Sequence, residues 1–290
     1  LSVLGRGGMG VVYRARDREL RREVALKTQL PGTDRDAEAV SRFLREARIA
    51  AALDHPAIVA VHEVGIENEL PFYAMAYVRG TTLQEALRLG RLPGLRARVQ
   101  ALWSAADAAA HAHAQGVVHR DVKPANILID DGGQVHILDF GLAKRLSDPT
   151  RLTAPGRFLG TPQYMPPEQI DGEVERIGPA SDVYALGAIL YELLTGKPPF
   201  EGASMEEVVS KALLRDPAPP RGQDQRIPLD LETVCLKALA KEPEHRYPSA
   251  REFAAELKRY LDGEAILARP ESWWRRPVRW ARRRKALAAV

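Results

Sequence analysis

Cysteine is almost absent from this sequence. Cys235 is the only one in 290 residues, so no disulfide can form within the chain, and a reducing compartment is its simplest home. Set in an apolar, helical-looking run, Cys235 reads as a small buried hydrophobe rather than a nucleophile. LSVLGRGG has neither a charged leader nor a long apolar stretch, so it is not expected to act as a signal peptide. The first residue is not Met and lies inside an apolar stretch, which reads as a fragment. No internal repeat recurs. The body of the chain also lacks positive charge: residues 269–290 hold eight Lys or Arg and one Glu, which leaves residues 1–268 with a net charge of −3 out of the total of +4. Nucleic-acid binding by the body therefore loses its main electrostatic support, and no nucleic-acid partner is expected.

What is present is an ordinary globular composition, 45% hydrophobic and 28% charged, on a chain about twice the modal domain length. The first third alternates like strands at 11–16, 23–27, 58–65 and 72–78, interrupted by a helical period over 37–53 with Phe43, Ala47, Ala50 and Leu53 on one face. From about residue 81 the pattern turns helical: TLQEALRLG, then 97–115, 181–195, 204–214, 229–241 and 249–262. The reading is α+β and bilobal. A β-rich lobe over 1–78 is joined near YVRG to a mainly helical lobe over 79–262, and a basic tail occupies 263–290. Ligand sites favour such a junction.

The segment GRGGMGVV spaces Gly5, Gly7 and Gly10 as G-x-G-x-x-G. Val11, Val12 and Tyr13 continue as a strand, and no GK[ST] follows. A dinucleotide fold and a phosphate loop opening a helix are both excluded. Two readings remain, an ordinary Gly-rich hairpin turn and a glycine hairpin that lets backbone N–H groups approach phosphate oxygens. On EVALK the period of two puts Ala25 and Lys27 on one face. Glu46 falls inside the apolar stripe of the following helix, where a carboxylate needs a cation. Lys27 is the expected partner.

The polar run HRDVKPAN at 119–126 is followed by ILI, the turn DDGGQ, VHIL and then DFG, which reads as a hairpin. Asn126 precedes its first strand and Asp139 follows its second, so an amide oxygen and a carboxylate converge at the open end. Hard oxygen ligands of this kind suit Mg²⁺, with Mn²⁺ as the alternative. Asp121 is placed to accept a proton from an attacking hydroxyl, and Lys123 to neutralise a transferring phosphoryl group.

With GTPQYMPPE at 160–168 and SDVYALGAILYELLTGKPPF at 181–200 added, the chain resembles a serine/threonine protein kinase catalytic domain of the bacterial receptor-like kind over residues 1–262. The resemblance implies that Gly5, Gly7 and Gly10 cover the phosphates of ATP, and that Lys27 contacts them while paired with Glu46. It implies that Val12, Ala25, Met75, Tyr77 and Val78 form the adenine pocket and hinge. Asp121 becomes the catalytic base, with Asn126 and Asp139 as the metal ligands. Lys123 is the serine/threonine mark, Thr161 supports Asp121 and Lys123, and Glu168 pairs with Arg246. Pro166 and Ala76 depart from the family's usual residues without removing a catalytic group. The segment 142–160 takes the place of an activation loop, where phosphorylation of Thr150 or Thr153 would order it against Arg120, and a homodimer would serve phosphorylation between copies. The alternative, a pseudokinase scaffold, is disfavoured by the complete set Lys27, Glu46, Asp121, Asn126 and Asp139. His111 and His113 lack the further ligands a zinc site needs, and His119 reads as structural.

Trp273, Trp274 and Trp280 lie among seven Lys or Arg at 275–285, a composition that suits an anionic membrane surface. ALAAV at the end is far short of the ~20 apolar residues of a spanning helix. The expectation is a transmembrane helix beyond Val290, with the kinase on the cytoplasmic side. Deleting 269–290 is expected to abolish salt-sensitive binding to anionic vesicles; equal or stronger binding of the intact chain to DNA would contradict it.

Overall fold

The computed structural model describes residues 2–7, 10–29, 37–140 and 161–269. Strands β1 (Ser2–Gly7), β2 (Gly10–Arg16), β3 (Glu23–Thr28), β4 (Val61–Glu67) and β5 (Leu70–Ala76) form an antiparallel sheet in the order β1-β2-β3-β5-β4. The register places Val12 opposite Lys27, Lys27 opposite Tyr73 and Ala25 opposite Met75. With side chains alternating between faces, these five share one side of the sheet. Helix α1 (Ala37–Ala51) covers the sheet through Phe43 and Ala47, which pack in one cluster with Ala25, Val59, Tyr73 and Met75.

Two of the expected boundaries that shift lie at the junction of the lobes. The strand expected over 58–65 begins at Val61, because Ile58 and Val59 turn away to bond the second lobe: Ile137 N donates to Ala57 O at 2.8 Å, and Val59 N to Ile137 O at 3.3 Å. The helix expected over 37–53 ends at Ala51, and Leu53 packs instead with the core of the second lobe.

That lobe carries a small sheet of β6 (Gly80–Thr82), β7 (Ile127–Asp130) and β8 (Val135–Ile137). Around it lie α2 (Leu83–Arg88), α3 (Leu95–Ala114), the single turn α4 (Pro167–Ile170), α5 (Pro179–Thr195), α6 (Met205–Leu214), α7 (Leu229–Ala238) and α8 (Ala250–Asp262). The axle is α5. Val183, Leu186, Ala188, Ile189, Leu190 and Leu193 are all fully buried, so it has no solvent face, and it stops at Gly196 in the left-handed region, φ +78°. A Cβ on Gly187 would lie 2.7 Å from Ala238 Cβ, so α5 and α7 approach to a distance only glycine permits. The alanines of α3, among them Ala105, Ala106, Ala108, Ala109 and Ala112, are buried to completion and let α5 and α8 pack closely on it. Cys235 is buried with its Sγ near Gly187 O, and burial pushes its thiol well above the ordinary range.

The packed core runs past Asp262, where the tail was expected to begin. Glu256 accepts hydrogen bonds from the amides of Leu267 and Ala268 at 2.8 Å each, and Ala268 is buried. Among the described residues no helix is long and apolar enough to cross a membrane. The tail 270–290, and with it the membrane expectation, lies outside the described residues.

Glu168 and Arg246 form a bidentate pair at 2.7 and 2.8 Å with both side chains essentially out of solvent. Ser181 Oγ donates to Glu168, and Arg246 donates to the carbonyls of Ala180, Ala240 and Lys241. Removing one member strands the other charge in the core. Arg246→Ala is expected to cost about 3–5 kcal/mol, read as a lowered denaturation midpoint at unchanged slope; a change below about 1 kcal/mol, within the range of an exposed pair, would contradict this.

Candidate active site

The polar loop 119–126 is held from below. Asp182, in the first turn of α5, is buried and suits the positive end of that helix. Its Oδ2 accepts from His119 N and its Oδ1 from Arg120 N, each at 2.8 Å, while His113 Nε2 meets Oδ2 at 2.8 Å. Arg120 sits in the left-handed region at φ +65°, a conformation costly for a side chain with a Cβ. Asp182 and the amide of Gln169, which donates to Arg120 O at 3.1 Å, hold it there. His119 is fully buried, with Nε2 3.0 Å from Leu138 O and Nδ1 accepting from Asp121 N at 3.2 Å. Its ring therefore ties the loop to the hairpin that follows, and it meets Phe140 edge-on at 4.8 Å. His113, in the last turn of α3, has a buried side chain that packs against Asp182 rather than joining a metal site.

Above this base the charged groups line up. Lys123 Nζ lies 2.9 Å from Asp121 Oδ2. Asn126, closing the 3-10 turn Pro124–Asn126, donates its Nδ2 to Asp121 O at 2.8 Å and to Oδ2 at 3.2 Å. With its nitrogen so engaged, the amide leaves its oxygen, which accepts no hydrogen bond among the described residues, to face a cation. The pairs Ile127–Ile137 and Ile129–Val135 set the hairpin register, and Leu138 N donates to Asn126 O at 2.9 Å. Asn126 and Asp139 therefore flank the same open end.

Asp139, at φ +60°, receives Lys27 Nζ on Oδ1 at 2.7 Å and the Tyr73 hydroxyl on the same oxygen at 3.1 Å. Lys27 is only 5% exposed, so its ammonium requires this anion. The expected pairing with Glu46 concerns a side chain outside the described residues. Asn126 and Asp139 together supply hard oxygen atoms, and among the described residues Asp139 Oδ2 accepts no hydrogen bond; this set fits a Mg²⁺ ion.

Ala25 and Met75 are buried and Val12 half-buried on the cleft face of the sheet. Tyr77 and Val78 lie beyond the end of β5, so their backbone groups are not spent in the sheet. Gly5 and Gly7 belong to β1, and Gly7 pairs with Gly10. A Cβ on Gly10 would stand 2.1 Å from Thr28 O, whereas one on Gly5 would meet nothing. Gly10 is thus demanded by packing on β3, and Gly5 is the position open to close approach from outside. Thr161 is exposed and lines one small cavity together with Asp121 and Lys123. Thr150, Thr153 and the rest of 141–160 lie outside the described residues.

Two residues with hydrogen bonds to the site are not singled out by the sequence. Asp182 looked like an ordinary acidic residue in a helix first turn, and Tyr73 like one more β-prone aromatic. The signal for Tyr73 was present, since the period of two puts it on the face of Met75. A cavity of about 720 Å³ between α3 and the β7–β8 hairpin, lined by His55, Trp103, Asp107 and Gln134 among others, contains none of the candidate site residues.

A family profile described as Protein kinase domain matches residues 1–257. The chain belongs to the protein kinase domain family. Serine/threonine-protein kinase PknB of Mycobacterium leprae is 43% identical over 268 residues, covering 91% of this chain and 43% of that protein. Serine/threonine-protein kinase PrkC of Bacillus subtilis is 39% identical over 266 residues, covering 92% and 41%. The chain thus spans about two fifths of the length of these relatives. A crystal structure of the M. tuberculosis PknI kinase domain superposes with a TM-score of 0.70 at 28% identity, covering 91% of this chain and 94% of that one.

If Asp182 is what holds the loop, Asp182→Ala removes the acceptors of two amides. Hydrogen exchange at His119 and Arg120 is expected to accelerate by at least tenfold relative to amides within α5; unchanged protection there would contradict the assignment.

Proposed function

We propose that the chain is the catalytic domain of an ATP-dependent serine/threonine protein kinase, moving the γ-phosphoryl group of ATP to Ser or Thr hydroxyls of proteins. The observation that carries this reading is the geometry of Asp121, whose carboxylate is gripped by Lys123 and Asn126 in the same loop whose hairpin delivers Asp139 to Lys27.

In this reading Asp121 is the general base. As the substrate oxygen bonds to the γ-phosphorus and the bond from that phosphorus to the bridging oxygen of ADP breaks, the hydroxyl proton passes to Asp121. Lys123, 2.9 Å from the carboxylate, holds the base in place and opposes charge growing on the phosphoryl oxygens. Lys27 would exchange its contact with Asp139 for the α- and β-phosphates, and Glu46 would then be its counter-ion. Asn126 and Asp139 would hold Mg²⁺, which would supply positive charge to offset the negative charge on the phosphate oxygens. Val12, Ala25 and Met75 supply an apolar surface for a flat base, with main-chain groups at Tyr77 and Val78 for its edge. Gly5, Gly7 and Gly10 would cover the phosphates. Phosphorylation of Thr150 or Thr153 would place a dianion within reach of Arg120. If two copies phosphorylate each other, a homodimer is a partner, and the basic tail 269–290 would hold the domain at an anionic cytoplasmic membrane surface.

Purified chain given Mg²⁺ and labelled ATP is expected to incorporate phosphate on Ser or Thr, with label at Thr150 or Thr153. Asp121→Asn should bind ATP as the wild type does and transfer phosphate slower by about 10²–10⁴-fold. Equal transfer by both proteins would overturn the role given to Asp121, and no transfer by the wild type in spite of ATP binding would overturn the kinase reading.

A further inference from the structure

We propose that Tyr73 is a positioning residue for the Asp139 carboxylate, acting through the hydroxyl that it sends from β5 to the far side of the cleft. The inference rests on the kinase reading above. Tyr73 is only 4% exposed and packs its ring 5.3 Å from that of Phe43 in the core of the first lobe. An aliphatic or phenyl side chain would fill that space without the cost of burying a hydroxyl. The hydroxyl is oriented: it donates to Asp139 Oδ1 at 3.1 Å. Tyr73 and Asp139 both line a cavity of about 10 Å³, whose other walls are apolar side chains such as Met75, Ile137 and Phe140. That leaves room for a single water at most, and in so apolar a setting a hydrogen bond to a charged group is strengthened.

Lys27 shares the same oxygen at 2.7 Å, with its ammonium 5.7 Å from the Tyr73 ring centre. The two donors differ in what can happen next. Lys27 has a flexible stem and must turn to phosphate oxygens when nucleotide binds. Tyr73 has its ring locked between β3 and α1 and cannot follow. Once Lys27 leaves, the phenol is the donor that still fixes the rotation of Asp139, a residue already held at φ +60°, with Oδ2 turned to the cation. Partners of metal-binding carboxylates in this position commonly set metal affinity by about 10–100-fold.

The test is Tyr73→Phe, which removes one oxygen atom and keeps the ring against Phe43 and beneath Lys27. Equilibrium binding of a fluorescent ATP analogue to the whole chain is followed as Mg²⁺ is titrated. The variant should bind the analogue as the wild type does without Mg²⁺, and should require about tenfold more Mg²⁺ for its half-maximal response. In an Asp139→Asn background, Tyr73→Phe should add no further shift, because the two groups act as one unit. An unchanged Mg²⁺ midpoint, a further shift in the Asp139→Asn background, or loss of metal-free binding by the variant would each overturn the proposal, the last by making Tyr73 a residue of the fold alone. A wild type that binds the analogue with no response to Mg²⁺ would instead overturn the kinase reading beneath it.

Discussion

The contact between Lys27 and Asp139 crosses the seam of the molecule. A buried ammonium with no anion beside it costs several kcal/mol, and Lys27 is only 5% exposed. The sheet of the first lobe and the hairpin of the second must therefore meet where this charge is answered. Both sides are prepared for it. Pairing of β3 with β2 and β5 sets Lys27 among Val12, Ala25, Tyr73 and Met75. The left-handed backbone at Asp139 turns its carboxylate out of the line of β8. Backbone bonds from Ala57 and Val59 to Ile137 reinforce the same junction, so the cleft inherits its width from several ties rather than one.

The second lobe supplies rigidity. Its axle α5 has no solvent face, and from its first turn Asp182 reaches up to take two loop amides and a histidine. A loop carrying Asp121, Lys123 and Asn126 would otherwise be the part of the molecule most free to move. Here it rests on the best-packed element and is bound to the hairpin through His119. The strained backbone at Arg120 persists only because its neighbours over-determine it. The buried pair Glu168–Arg246 fixes the adjoining segment to α5 and to the loop before α8 by the same means.

Much of this was legible in the amino-acid order, and for a physical reason. Charged residues packed into HRDVKPAN, a lysine on a buried strand face and glycines ahead of a strand all break the pattern that core packing alone would write, so they announced a site. Helices with a clear apolar period, such as 181–195 and 249–262, emerged within about two residues of their observed ends. Long-range pairing was not legible. Ile58 and Val59 have the composition of strand residues but bond a hairpin nearly eighty positions away. Residues 264–268 have no period, and the bonds of the Leu267 and Ala268 amides to Glu256, with Ala268 buried, are what tie this stretch to the second lobe. Asp182 was not legible for a related reason, and Tyr73 only as a residue on the cleft face: each looks locally ordinary, and its hydrogen bonds run to partners more than sixty residues distant.

The account stands most directly on a crystal structure of the chain with Mg²⁺ and a non-hydrolysable ATP analogue. It predicts a cation bound by Asn126 Oδ1 and Asp139 at about 2.1 Å, with Lys27 moved from Asp139 to the phosphates and the base between Ala25 and Met75. A nucleotide seated with its metal away from both residues, or Lys27 still locked on Asp139 with no phosphate contact, would contradict it.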